Sequence, residues 1–397
     1  MNKQTNTPEL RFPEFDEEWE KRKLGEVVNY KNGGSFESLV KNHGVYKLIT
    51  LKSVNTEGKL CNSGKYIDDK CVETLCNDTL VMILSEQAPG LVGMTAIIPN
   101  NNEYVLNQRV AALVPKQFID SQFLSKLINR NQKYFSVRSA GTKVKNISKG
   151  HVENFNFLSP DYTEQQKIGN FFSKLDRQIE LEEEKLELLE QQKRGYMQKI
   201  FSQELRFKDK NGNQYPEWVT KKLGDIGKVA MNKRIYKNET TENGEIPFYK
   251  IGNFGKNADT FITREKFDEY KEKYPYPNVG DILISASGSI GRTIEYTGED
   301  AYYQDSNIVW LNHNDEVINK YLKYFYKIVK WSGIEGTTIK RLYNKNILNT
   351  KIELPTVEEQ YKMANFLSKL DKIIDIQIEK IELLKQRKKG LLQKMFV

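Results

Sequence analysis

Apolar positions along this chain follow two periods. From residue 161 to 201 there is no proline and only Gly169 and Gly195 break the run. Steps alternating four and three residues select Ile168, Phe172, Leu175, Ile179, Glu182, Leu186, Leu189, Lys193, Tyr196 and Ile200, eight of ten apolar. A 3.5-residue period predicts a long helix carrying a coiled-coil seam. The same steps downstream select Met363, Leu367, Leu370, Ile374, Gln377, Ile381, Leu384, Lys388, Leu391 and Met395, with the polar exceptions at equivalent places. Pro160 and Pro355 stand just before the two helices, where proline is tolerated. Elsewhere the apolar runs are short. Thr79–Leu84, Val110–Val114 and Asp281–Ser285 read as strands between Gly, Pro and Asn turns, and 121–135 and 318–330 read as short helices.

The two long helices are copies. Residues 160–201 align without gaps to 355–396, with 22 of 42 positions identical. At the same shift, Gly141–Ile147 corresponds to Gly336–Leu342. Near the other end Trp19 and Lys23-Leu24-Gly25-Glu26 recur as Trp218 and Lys222-Leu223-Gly224-Asp225. The chain therefore divides into a module over 1–157, a helix over 158–201, a linker and second module over 202–353, and a second helix over 354–397. Between their shared ends the modules diverge, which suits one scaffold presenting two surfaces. Parallel pairing of the helices would set Lys193 against Lys388, whereas antiparallel pairing sets Lys193 near Leu370 and Lys388 near Leu175, where a lysine stem can pack and its ammonium reach water. The antiparallel arrangement is expected, with an internal pseudo-twofold repeat; the alternative is that each helix packs on its own module.

Charge sharpens this picture. The whole chain carries 61 Lys+Arg and 53 Asp+Glu, net +8. Residues 20–157 hold 19 basic and 12 acidic residues, net +7, against net +2 for 215–353, so the first module is the more cationic. No apolar stretch approaches a membrane span and the first residues lack a signal-peptide core, so a cytoplasmic location without membrane contact is expected. Cys61, Cys71 and Cys76, with His43, His151 and His313 scattered, form no ligand spacing, and no metal site is expected.

Motifs for nucleotide hydrolysis, dinucleotide binding, zinc proteolysis and adenine methylation are absent. A nuclease-like set can be assembled from Asp161, Glu183 and Lys185, but Glu183 and Lys185 lie some 30 Å or more from Asp161 along a helix rising about 1.5 Å per residue, and no catalytic residue is assigned. Two basic stretches stand out, Arg130 to Gly150 and Lys320 to Lys345, both interleaved with aromatics and both ending in a Gly-Thr turn followed by cations. Phosphate contacts are expected from Thr142, Lys143 and Lys145 and from Thr337, Lys340 and Arg341. Base-reading candidates are Gln87, Gln108 and Arg109 in the first module, and Ser287, Ser289, Arg292, Gln304 and Ser306 in the second, since amides suit adenine edges and Arg suits guanine.

These features resemble the specificity subunits of type I restriction-modification enzymes. The likeness rests on the paired EQxKxxNFxSKLD helices (Glu164–Asp176, Glu359–Asp371), the Lys-Leu-Gly opening motifs and GDILISxSGSIG at 280–291. Module one departs from the last, reading Gln87-Ala88-Pro89-Gly90-Leu91-Val92-Gly93. The resemblance implies an α+β chain: two α/β target recognition domains that each read half of a split double-stranded DNA site, separated by an antiparallel coiled coil with seam Phe172, Leu175, Ile179, Leu186, Leu189, Leu367, Leu370, Ile374, Ile381 and Leu384. It implies two methyltransferase (modification) subunits and restriction/translocase subunits as partners. S-adenosylmethionine, ATP and Mg would act in those partners, with no cofactor in this chain. The alternatives are a stand-alone DNA-binding coiled-coil adaptor and a nuclease.

Overall fold

The computed structural model describes residues 6–69, 72–86, 90–141, 144–331, 333 and 341–397. The chain forms two compact units, one built from residues 1–184 and 379–397 and the other from 185–378.

Unit one is organised around a four-stranded antiparallel sheet in the order Val28–Asn32, Val110–Pro115, Leu80–Ile83, Thr95–Ile97. All four residues of Leu80–Ile83 are buried because both faces of the strand are covered. Leu80, Met82 and Leu113 pack with Trp19, Phe123 and Phe172 on the helical side. Val81, Ile83 and Val110 pack with Ile49, Tyr104 and Leu106 on the other. There a smaller sheet joins Tyr46–Ile49 antiparallel to Tyr66–Ile67 and parallel to Tyr104–Leu106. The opening strand Glu20–Lys23 pairs with the closing strand Asn156–Ser159, so the module begins and ends at one place.

Unit two repeats this plan. Its four-stranded sheet runs Gly227–Ala230, Ile308–His313, Ile282–Ser285, Thr293–Glu295, its smaller sheet joins Phe261–Ile262, Ile246–Tyr249 and Tyr302–Tyr303, and Val219–Lys222 pairs with Lys351–Leu354. The helix Ser121–Arg130 of unit one, capped by Asp120 on the Phe123 amide (2.8 Å), has its counterpart in Asn319–Ile328.

The long helices are Tyr162–Phe201 and Val357–Lys394. Within each unit they lie antiparallel. In unit one Ile168 and Phe172, from the start of the first helix, share a core with Met395 and Phe396, just past the end of the second. In unit two Met197 and Ile200, near the end of the first, share a core with Met363 and Leu367, near the start of the second. Both expectations for the helices thus hold together, since each segment pairs with a helix and packs on a module. Lys388 meets Asp176 at 2.5 Å in unit one, and Lys193 meets Asp371 in unit two. The register is the expected one to within a residue, but the ammonium groups are corrected from snorkelling past leucine to pairing with the adjacent carboxylate. Phe172, Leu175, Ile179, Leu367, Ile374 and Ile381 are buried; Leu186, Leu189, Leu370 and Leu384 are half-buried.

Candidate nucleic-acid interface

In unit two, four loops converge beside one end of the larger sheet. The Ser287 hydroxyl donates to Asn307 Oδ1 at 2.8 Å, and Ser287 forms a bridge with Arg341. Arg341 donates to the Ser306 hydroxyl at 2.6 Å and lies over the Tyr343 ring. Arg234 pairs with Asp305 at 2.7 Å. A cavity of about 410 Å³ opens among Met231, Ser306, Arg341, Tyr343 and Lys345. The glycine-serine turn at 285–291 is held from inside, because Ser285 Oγ donates to the Ser289 carbonyl and accepts from the Arg292 amide. Gly288 and Gly291 take positive φ there, 64° and 81°, which glycine adopts without strain. Ser289 and Arg292 are exposed. The Arg292 guanidinium reaches the Gly255 carbonyl at 3.3 Å, and Gln304 Oε1 accepts the Ile251 amide at 3.0 Å, so these two anchor the 251–255 loop.

Unit one builds its rim differently. Lys145 lies on a two-residue strand, Lys145–Asn146, paired with Ser85–Glu86, and its side chain is exposed. The buried Glu86 carboxylate accepts the Leu91 and Val92 amides. Arg109 is exposed with φ 65°, while Gln108 donates to Glu37 at 2.7 Å. Gly33 lies so close to Asn107 that a Cβ would stand 1.8 Å from its carbonyl oxygen, so this crossing of loops requires glycine. Gln87, Thr142, Lys143, Thr337, Lys340 and Cys71 lie outside the described residues.

The basic stretches are partly structural. Tyr321, Tyr324, Phe325 and Tyr326 are core residues of unit two, and burial pushes the phenol of Tyr326 well up. Lys323 pairs with Glu295 at 2.8 Å. In unit one Arg130 lies over Phe396, turned toward the long helices, and Arg138 stacks on Tyr134 at 3.8 Å. The nuclease-like set is also otherwise engaged. Asp161 accepts the Thr163 and Glu164 amides as a helix cap, and Glu183 pairs with Lys385 at 2.7 Å.

The repeated Glu-Gln of the helix motif has a clear role. Glu164, fully buried, accepts two bonds from Arg11 (2.8 and 2.7 Å), and Glu359 accepts two from Arg206 (2.8 and 3.0 Å). Gln165 accepts the Asp120 amide and donates to the Pro160 carbonyl; Gln360 does the same with Ile318 and Pro355. Each pair clamps a long helix to the module before it. The sequence reading missed the arginines, although Glu-Leu-Arg-Phe recurs at 9–12 and 204–207, at the shift of the helices. It also missed Arg234, Tyr236 and Tyr343 at the unit-two rim, where both tyrosines are exposed.

No helix among the described residues is long and apolar enough to cross a membrane. A protein from Haemophilus influenzae named as a type I restriction enzyme specificity subunit is 58% identical over 151 residues, a stretch covering 38% of this chain and 39% of that protein. The MjaVIII specificity subunit from Methanocaldococcus jannaschii is 23% identical over 98% of this chain and 95% of its own length. The MjaIX subunit of the same organism is 25% identical over 99% and 96%. Among solved structures, the S subunit from M. genitalium matches with a TM-score of 0.61 at 20% identity, covering 98% of this chain and 99% of that one, which shows a shared fold. The sequence model described as the type I restriction modification DNA specificity domain matches residues 16–191 and 215–386, so the chain belongs to the type I restriction-modification specificity subunits and serves as a DNA specificity subunit.

Proposed function

We propose that each module reads one half of a bipartite, asymmetric DNA site, and that the chain does so without catalysing a reaction. In unit two the readers are Arg341, Ser306, Ser287, Ser289, Arg292 and Gln304, joined by Arg234, with Thr337 and Lys340 on phosphates. In unit one they are Gln108, Arg109 and Gln87, with Thr142, Lys143 and Lys145 on phosphates. The long helices dock two methyltransferase subunits, and restriction subunits join through them. S-adenosylmethionine, ATP and Mg work in those partners.

The observation that carries this reading is the convergence of the unit-two loops. They place Arg341, Lys345, the Ser306 hydroxyl and the exposed Tyr343 around one concavity beside the larger sheet, the kind of support from which side chains address base edges. The test is to map methylated adenines in cells expressing the chain with a methyltransferase partner. Arg341→Ala should weaken discrimination at one position of one half-site by about 1–3 kcal/mol and leave the other half intact. Lys145→Ala should weaken binding to every duplex and reduce the salt slope by about one. Unchanged site preference with Arg341→Ala, or an unchanged slope with Lys145→Ala, would remove that residue from the interface.

A further inference from the structure

The strongest unassigned feature is a cleft of about 700 Å³ in unit one, between the module and the paired helices. Its walls carry Lys59, Lys126, Arg130, Lys385, Lys388 and Lys389. Among the described residues three side-chain carboxylates serve these six cations. Asp176 takes Lys126 and Lys388, and Glu57 and Glu183 share Lys59 and Lys385. Arg130 donates to a main-chain oxygen of Val397 at 3.0 Å, and Lys389 forms no ion pair among the described residues. Lys126 is only 14% exposed, and burial together with the nearby Lys388 and Lys59 pulls its pKa down despite Asp176. Gathering amines in a partly desolvated concavity is unfavourable unless an anion is received there.

Unit two shows that this excess is not required for pairing the helices. The bonds from Gln165 and Gln360 to Asp120 and Ile318 align Ser121–Arg130 with Asn319–Ile328. By that alignment Tyr324 replaces Lys126 and Ile328 replaces Arg130. By the helix repeat Glu190 stands at the place of Lys385, and Arg194, at the place of Lys389, has Glu190 within 3.9 Å. Unit two thus uses a phenol, an aliphatic and a carboxylate where unit one uses three cations. The helix pairing survives, so the cations of unit one serve something else.

We infer that this cleft of unit one binds a small polyphosphate anion, its phosphates received by Lys126, Lys388, Lys389 and Arg130. The volume matches a nucleotide-sized ligand. Met94, Ile179 and Leu392 supply an apolar wall beside the amines, on which a base can lie. The ligand chemistry is therefore that of a free polyphosphate or a nucleoside polyphosphate, and the inference is independent of which residues read DNA.

The test is titration calorimetry of the full chain at low salt, with sodium tripolyphosphate in one arm and ATP in the other. One saturable site per chain is expected. Equal affinities mean that the phosphates alone are held, and tighter ATP means that the apolar wall holds the nucleoside. Lys389→Glu, which breaks no ion pair, should weaken binding at least about tenfold, and Lys126→Met should do the same if it folds. Lys228→Glu, at an exposed position of unit two, should change it by less than about twofold. Absence of saturation in both arms overturns the inference, as does equal weakening by Lys389→Glu and Lys228→Glu. A random duplex that competes with tripolyphosphate and is weakened equally by Lys389→Glu would also overturn it, assigning the cleft to nucleic acid.

Discussion

Unit one and unit two clamp their long helices with the same glutamate and complete the bond differently. Glu359 receives Arg206 and also the Trp218 indole N–H at 3.0 Å. Among the described residues Glu164 receives Arg11 alone, and the equivalent indole, Trp19 Nε1, is buried without a hydrogen-bond partner. A buried donor left unmade costs about 1–3 kcal/mol, so the first clamp is built from the same residues at a lower return. Shared motif residues fix which groups meet. The packing of diverged neighbours, here Trp19 against Phe123 and Phe396, decides how completely they satisfy one another.

The sharpest way to break this comparison is to remove the carboxylates. Glu359→Ala strands Arg206 and frees a buried indole N–H, and should cost about 3–5 kcal/mol, the range for breaking a buried ion pair. Glu164→Ala should cost about 1 kcal/mol less, because no indole bond is lost. Local stabilities come from hydrogen exchange of each unit in the full chain, read at the amides of Trp218–Lys222 and Trp19–Lys23. Equal losses would show that the indole bond contributes nothing.

Much of this architecture was legible in the sequence. The strands around Leu80 and Ile282, the two long helices and their antiparallel register follow from apolar period and repeat. The seam was less faithful toward its ends. Tyr196, placed in the seam, is 40% exposed, while Met197 is buried. A strict 3.5-residue stripe drifts on a 3.6-residue helix, and near residue 197 the helix faces a module core as well as a helix partner. The aromatics of 321–326 illustrate a second limit. In sequence they alternate with lysines as a nucleic-acid surface does, but a helix of 3.6-residue period sends Tyr321, Leu322 and Phe325 to one side and Lys320, Lys323 and Lys327 to another. The rim contacts of Arg341 and Arg234 were not legible, because they join loops far apart in the chain.

The aspartates of the Ser-Lys-Leu-Asp motif are held differently in the two units, Asp176 by two lysines and Asp371 by a lysine and a tyrosine. Burial alone would raise the Asp176 pKa, but Lys126 and Lys388 outweigh it and hold the carboxyl below its usual range; Lys193 and Tyr324 do the same for Asp371. A depressed carboxylate contributes stability that is present above its unfolded value and is lost as pH falls through the folded one. Both units should therefore loosen along the helix pair below about pH 4. Asp176→Asn leaves two lysines facing each other without a counter-charge and should cost about 2 kcal/mol at neutral pH, allowing for partial exposure. Asp371→Asn should cost less, since the phenol can still bond to the amide. Denaturant unfolding of both variants between neutral and acid pH is the measurement. An unaltered acid limb in the double variant would place the pH sensitivity elsewhere.

The smallest effect isolates the exchange of Lys126 for Tyr324. The Tyr324 hydroxyl donates to Asp371 Oδ2 at 2.7 Å, and burial, with the carboxylate beside it, keeps the phenol protonated far above neutral pH. Tyr324→Phe removes one hydrogen bond and no charge, while Asp371 keeps Lys193. The expected loss is about 1–2 kcal/mol, in the range for a bond to a charged acceptor. Because the phenol does not titrate between acid and neutral pH, this loss should be constant wherever Asp371 is ionised and shrink only as Asp371 is protonated. Lys126→Met, by contrast, removes a charge from unit one, so its cost should fall with added salt, whereas that of Tyr324→Phe should not. Measuring both variants across a salt series decides whether one aspartate is held by charge and its twin by a directed hydrogen bond; parallel salt dependences would show that the two units hold their helices by the same force.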